Sequence, residues 1–230
     1  MKERALAFLE QNKVLHMAML EGIRKDEVEY LAADERGVLL RDKASGICMI
    51  SVSDLDYGRQ LIDELDTCYQ MVTCQEELID YIIPKYGFTE IFSCKKVVYL
   101  KKEKPELKTE LTIIEPDAEY LQKIKDVYHT IPPEEVDEIH RRGNLFCAFH
   151  NGDFVGYAGN HLDGSIGLLE IFEPYQGNGF GEQLEIFMIH HVMDKGDIPY
   201  GEIVLGNTVS ANLQDKLGFE TSKETITWLL

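Results

Sequence analysis

The residues best placed to do chemistry lie between 165 and 219. Glu173-Pro174-Tyr175-Gln176-Gly177-Asn178-Gly179-Phe180-Gly181-Glu182 sets glycines at every second position, between an apolar run, Ile166 to Phe172, and a helix-like run from Phe180. That order reads as strand, glycine loop, helix start. Glycine lets the backbone take positive φ and come close to a ligand. The free amides of a helix's first turn, with the helix dipole, attract anions. The segment can therefore hold a phosphate-bearing molecule without any basic side chain. Two common phosphate loops do not fit. A P-loop needs Lys and Ser/Thr after its last glycine, whereas Gly181 is followed by Glu182 and Gln183. The dinucleotide fingerprint needs a third glycine three places after the second, and position 182 is Glu. Just before the loop, Glu170 stands in an otherwise apolar strand, a costly place for a carboxylate without a partner or a role.

A second motif follows, Asn207-Thr208-Val209-Ser210-Ala211-Asn212-Leu213-Gln214-Asp215-Lys216-Leu217-Gly218-Phe219. Ser210 is suited to cap a short helix, Leu213 and Leu217 share one face, and Gly218 is a left-handed terminator. Together, Gln176-x-x-Gly179-x-Gly181 and this segment resemble the acyl-CoA loop and the closing signature of the GCN5-related N-acetyltransferases. The resemblance covers residues 110 to 230. Ile198-Pro199-Tyr200-Gly201 and Leu213-Gln214 are most similar to the FR47-like and glycine N-acyltransferase-like branch.

The resemblance implies a mixed α+β fold of the acyl-CoA N-acyltransferase type, with a mostly antiparallel central sheet flanked by helices. It implies acetyl-CoA as cosubstrate, lying where two central strands splay apart. The backbone of Ile171, Phe172 and Glu173 would bond the pantetheine arm. The loop Gln176, Gly177, Asn178, Gly179, Phe180 and Gly181 would hold the diphosphate, and Asn207 and Ser210 would shape the far wall. Gln176 and Asn178 stand where the family often has basic residues, so the grip would rest on amides. The amide of Phe172 or its neighbour would serve the thioester oxygen. For the base that frees the amine, Glu170 comes first, Glu202 second and His161 third. Gln214 occupies the usual place of a tyrosine acid, which leaves Tyr200 or water for that role. The expected reaction moves an acetyl group to a primary amine of a small molecule or amino acid. The alternatives are a CoA-binding protein without turnover and a protein lysine or N-terminal acetyltransferase.

These motifs need elements to carry them. The charged stretch 101–109, with Pro105, reads as a linker, giving a domain over 1–104 and a catalytic domain over 109–230. In the second, strands are expected at 111–114, 145–150, 154–161, 165–172 and 201–205, with helices at 117–129, 133–141, 179–194 and 207–217. Asn151-Gly152 marks a tight hairpin turn. In the first, a helix is expected over 2–22, strands at 27–33, 37–42, 47–53 and 69–74, helices at 54–66 and 75–85, and β structure at 89–100. Lys85-Tyr86-Gly87-Phe88 echoes Lys216-Leu217-Gly218-Phe219, the mark of an internal duplication. The first copy has only Gly58 where a cofactor loop would stand, so it reads as degenerate.

Composition sets the outer bounds. A net charge of −18 argues against nucleic-acid or anionic-membrane binding and favours a cationic acceptor. An apolar fraction of 44% supports a folded core. Five cysteines without a C-x-x-C pair read as free thiols in a reducing, cytoplasmic setting, with no zinc pattern. The N-terminal stretch reads as an amphipathic helix, not a signal peptide. His190 and His191 are adjacent and cannot share a helix face, so they read as packing or surface groups. The oligomeric state, a homodimer included, stays open.

Overall fold

A computed structural model describes residues 1–230. Two compact units divide the chain. The first holds Met1–Val98, Glu202–Asp215 and Phe219–Leu230; the second holds Tyr99–Gly201 and Lys216–Gly218. The fold is α+β, mostly antiparallel sheet flanked by helices.

In the first unit the helix expected over 2–22 is broken. It forms as α1 (Lys2–Leu9), a 3₁₀ turn at Glu10–Asn12, and α2 (Met17–Arg24). Two side chains take over the backbone groups between the helices. The Leu15 N–H donates to Asn12 Oδ1 at 3.3 Å, and buried His16 bonds the Leu9 carbonyl through Nδ1 at 2.9 Å. There follow β1 (Val28–Asp34), β2 (Gly37–Asp42), β3 (Cys48–Val52), α3 (Leu55–Glu64), β4 (Met71–Thr73), α4 (Ile79–Tyr86) and β5 (Ile91–Val98). The C-terminal strands β11 (Glu220–Thr221) and β12 (Ile226–Leu229) also belong here. β12 lies between β4 and β5, antiparallel to both. β3 and β4 are parallel.

The second unit contains β6 (Thr112–Ile114), α5 (Ala118–Val127), α6 (Pro133–Arg141), β7 (Leu145–His150), β8 (Asp153–Asn160), β9 (Ile166–Ile171) and α7 (Phe180–Asp194). β10 (Tyr200–Val204) begins in this unit and ends in the first, and α8 (Thr208–Leu217) begins in the first. β6, β7, β8 and β9 form an antiparallel run. Asn151 (φ 52°) and Gly152 (φ 91°) make the turn between β7 and β8 with both residues at positive φ, the geometry that matches strand twist. Asp117 caps α5 by accepting the Glu119 and Tyr120 N–H groups at 3.0 Å. Ile124, Val136, Ile139, Leu145, Cys147, Tyr157 and Leu168 form the core that holds these helices against the sheet.

The element order β-β-β-α-β-α-β occurs twice, from β1 and from β7. In each run the third and fourth strands pair parallel. In each, the second helix ends on a left-handed glycine, Gly87 (φ 75°) and Gly218 (φ 85°).

His191 on α7 packs against Phe146, with ring centroids 4.7 Å apart, and faces Asn144 Oδ1 at 3.2 Å. Burial, then Lys195, lowers its pKa to about 4. The unfolded chain therefore takes up a proton below about pH 6.5 that the folded chain refuses until about pH 4. Stability should fall across that window. His191→Gln should flatten the fall by about 1–2 kcal/mol after allowance for the ring's partial exposure, read as urea midpoints at pH 7 and pH 4.5.

Candidate functional site

Within the second unit, β9 interrupts its own ladder. β8 pairs it at Gly156–Ile171, Tyr157–Glu170 and Gly159–Gly167. Two steps on β8 thus match three on β9, which is a bulge between Gly167 and Glu170. Leu168 sits in the bulge at φ 50° although it is only 4% exposed. Left-handed backbone at a leucine is unfavourable and persists where packing overrides it; Leu168 is held in the core formed with Ile124, Ile139 and Tyr157. On its other edge, β9 has a single ladder pair, Gly201–Ile166. Residues 167–171 therefore present an edge without a strand.

Ladder alternation decides which groups face that edge. The Phe172 N–H donates to Val155 O at 3.0 Å, so Phe172 faces β8, and Ile171, one residue back, turns its N–H and C=O to the open edge. Of the two amides expected to serve a thioester oxygen, that of Phe172 or its neighbour, the Phe172 N–H is spent on β8 and the Ile171 N–H lies on the open edge. The Ile171 carbonyl accepts from Gln176 Nε2 at 2.8 Å.

The loop's carbonyls are bonded and its amides from Gly177 to Glu182 are not. Glu173–Tyr175 is a 3₁₀ turn. Asn178 Nδ2 donates to the Tyr175 and Gln176 carbonyls at 3.1 and 3.3 Å. Gln176 and Asn178 thus occupy the loop's acceptors. Gln183 is the first residue whose N–H closes onto the helix, at Gly179 O and 3.2 Å. The N–H groups before it, from Gly177 to Glu182, have no backbone acceptor, and Gly179 caps α7 with no side chain. Gly177 (φ 78°) and Gly179 (φ 76°) supply the required backbone, and a Cβ on either would meet nothing within 4 Å. Gly177, Asn178 and Gly179 are exposed. Phe180 is buried against His150 at 4.8 Å and pins the start of the helix. Lys216 Nζ reaches Glu182 Oε2 at 2.5 Å, a cation at the first turn of α7 that the sequence reading left without a role.

Glu170 is exposed, so burial does not force a role on it. It has a partner instead: Tyr157 Oη donates to Glu170 Oε2 at 2.5 Å. Tyr157 is fully buried between Tyr128 and Phe172. Burial, then the Glu170 carboxylate, raises its phenol pKa, so it acts only as a donor. Sequence reasoning missed Tyr157. The Asn151-Gly152 turn, counted outward, sets Tyr157 opposite Cys147 on β7; its pairing with Glu170 on β9 lies next to a bulge and had no local signal in the sequence.

The other candidates are placed elsewhere or occupied. Tyr200 is 1% exposed and its hydroxyl donates to the Asp163 carbonyl; its proton anchors a turn and is not available to a leaving thiolate. His161 bonds the Ser165 carbonyl through its backbone N–H, and its ring lies so close to Gly167 that a Cβ there would stand 2.4 Å from Nε2. In the first unit, Glu202 accepts from Lys96 Nζ and from Trp228 Nε1. Both oxygens of this largely buried carboxylate are engaged, which marks an internal ion pair and not a free base. Asn207, not Ser210, caps α8: the Ser210 N–H donates to Asn207 Oδ1 at 3.1 Å, and Ser210 lies inside the helix. Gln214 Oε1 is buried without a partner.

The matching strand-to-helix corner of the first unit, β3 into α3, is built differently. There the cap is Asp54, whose Oδ1 accepts the Asp56 and Tyr57 N–H groups at 3.0 and 3.2 Å. A carboxylate of the chain occupies the place that Gly179 leaves open.

Residues 151–229 match the family model of the FR47-like proteins. Among curated protein sequences none matches the chain. Several solved structures share its fold. A protein from Drosophila aligns with TM-score 0.66 at 14% identity, over 84% of this chain and 74% of its own. A GNAT-family protein from Novosphingobium aromaticivorans aligns with TM-score 0.61 at 14% identity, over 95% of both chains. A GCN5-related N-acetyltransferase-like protein from Streptococcus suis aligns with TM-score 0.57 at 14% identity, over 94% of this chain and 95% of its own.

Proposed function

We propose that the chain, which shares the fold of GNAT-family structures and matches the FR47-like model over residues 151–229, is an acyl-CoA-dependent N-acyltransferase of the GCN5-related superfamily acting on the primary amine of a small molecule or amino acid, acetyl-CoA being the donor. The observation that carries this reading is the row of partnerless donors along one edge of the second unit. It runs from the Ile171 N–H at the bulged end of β9 to the amides of Gly177–Gly181 at the start of α7. Such a row suits a diphosphate followed by an amide-containing arm.

In this reading the loop amides hold the diphosphate, and the Ile171 N–H donates to the thioester oxygen as charge builds on it. Glu170, steadied by Tyr157, takes the proton of an incoming ammonium so that the neutral amine can attack. The departing thiolate, with a pKa of ~8.5, leaves without a phenol acid; Tyr200 is engaged and Gln214 has no acidic proton. The absence of an acid group also supports the second reading, a protein that binds CoA and does not turn it over. Thiol release from acetyl-CoA across a panel of amines separates the two: turnover above the hydrolysis background supports the enzyme, and tight binding with no release supports the binder. The first copy, with Asp54 at its corner, is in this reading the one that does not take CoA.

Because amides and not surface cations hold the diphosphate, CoA affinity should change less than about threefold between 50 and 300 mM salt. Calorimetric titrations at the two strengths check this; a steep loss would place the grip on Lys216 or other side chains.

A further inference from the structure

The first unit contains a second chemically distinctive group, away from the loop just described. Cys48, at the start of β3, stands directly across from Arg41 on β2. Its N–H donates to Gln70 O at 3.0 Å, and the Cys68 S–H donates to that same oxygen at 3.1 Å. Cys48 and Cys68 thus converge on one carbonyl, with Arg41 beside Cys48 and its Nη1 and Nη2 donating to Glu29 Oε2 at 3.3 Å and to the Thr67 carbonyl at 3.4 Å. Both sulfurs are buried. Yet Cys68 belongs to a stretch without regular structure, flanked by exposed Asp66, Thr67 and Tyr69. A small opening of that stretch gives a small oxidant access without unfolding β3.

We propose that Cys48 and Cys68 form a reversible dithiol–disulfide site whose oxidant is a hydroperoxide. The neighbouring Cys68 thiol and the Arg41 guanidinium lower the Cys48 pKa to about 7. Burial pushes Cys74 up to about 11 and Cys94 and Cys147 up to about 12. Cys48 is thus the most acidic of the five thiols, and Cys68, whose own pKa is raised by Cys48 and by burial while Cys48 stays reduced, sits beside it as the resolving partner. The Cys48 thiolate attacks the terminal peroxide oxygen, the O–O bond breaks, and water or an alcohol leaves after taking a proton, giving a sulfenic acid. The Cys68 sulfur, its proton lost to solvent, attacks the Cys48 sulfur and water leaves. In sum, two thiols and one hydroperoxide give a disulfide, one alcohol or water, and one further water; an external dithiol reverses it. The disulfide closes the loop around α3.

The test treats the folded full chain with hydrogen peroxide, alkylates it in denaturant and maps the peptides by mass. A Cys48–Cys68 linkage with Cys74, Cys94 and Cys147 alkylated, reversed by dithiothreitol, is expected. Without oxidant, Cys48 should react with iodoacetamide at pH 7 at least ~10-fold faster than Cys94. Cys68→Ser should trap a sulfenic acid at Cys48 as a dimedone adduct. Oxidation spread evenly over the five cysteines, a Cys48 that reacts only above pH 9, or no adduct in Cys68→Ser would each overturn the proposal.

Discussion

Gly179→Asp should weaken CoA binding about 100-fold or more while the protein stays folded. The substitution places a carboxylate at the cap of α7, as Asp54 stands at the cap of α3. A unit charge about 5 Å from a diphosphate, at the effective dielectric of a protein surface, costs about 3 kcal/mol, which is about a hundredfold in Kd. A Cβ at 179 meets no atom within 4 Å, and aspartate tolerates positive φ better than most residues, so Tm should move by only a few degrees. Gly179→Asn separates charge from shape and should bind CoA within about fivefold of the parent. Equal losses in both variants would mean that loop conformation, not the unbonded amides, governs binding. Calorimetry with thermal unfolding on the same samples decides between them.

Glu170→Gln should lower kcat/KM by about 10²–10⁴, the usual contribution of a positioned general base, with CoA affinity unchanged. Tyr157→Phe should lower kcat about tenfold with little effect on the amine KM, since the carboxylate stays but loses the donor at 2.5 Å that aims it. The two changes should not add, because both act through one carboxylate. Steady-state kinetics of the single and double variants read this out. Full activity in Glu170→Gln would remove Glu170 from the reaction and leave a solvated strand face.

Much of the second unit was legible in the sequence because its signals are local. Asn151-Gly152 specifies a hairpin, Pro133 starts a helix, and the glycines of 177–181 require a turn that no other residue takes as readily. The fate of individual side chains was not legible, since it depends on partners far along the chain. Tyr200 looked like an acid until its hydroxyl proved to bond the Asp163 carbonyl, 37 residues away. Glu202 looked like a base until Lys96 and Trp228 claimed both oxygens. The bulge at Leu168 left no mark in residue type, because core packing and not glycine holds its φ at 50°. The long N-terminal helix failed at Asn12, whose side chain competes with the helix for a backbone N–H. Periodicity of apolar residues does not register such competition.

The central claim is that the bare amides at the start of α7 hold a diphosphate. Isothermal titration of the full chain with coenzyme A, at protein and ligand concentrations up to millimolar, addresses it without need of the amine. One site per chain, with Kd in the range of roughly 1 µM to 1 mM usual for substrates and lost in Gly179→Asp, is the expected result. No heat at millimolar coenzyme A, or equal binding to Gly179→Asp, would contradict it.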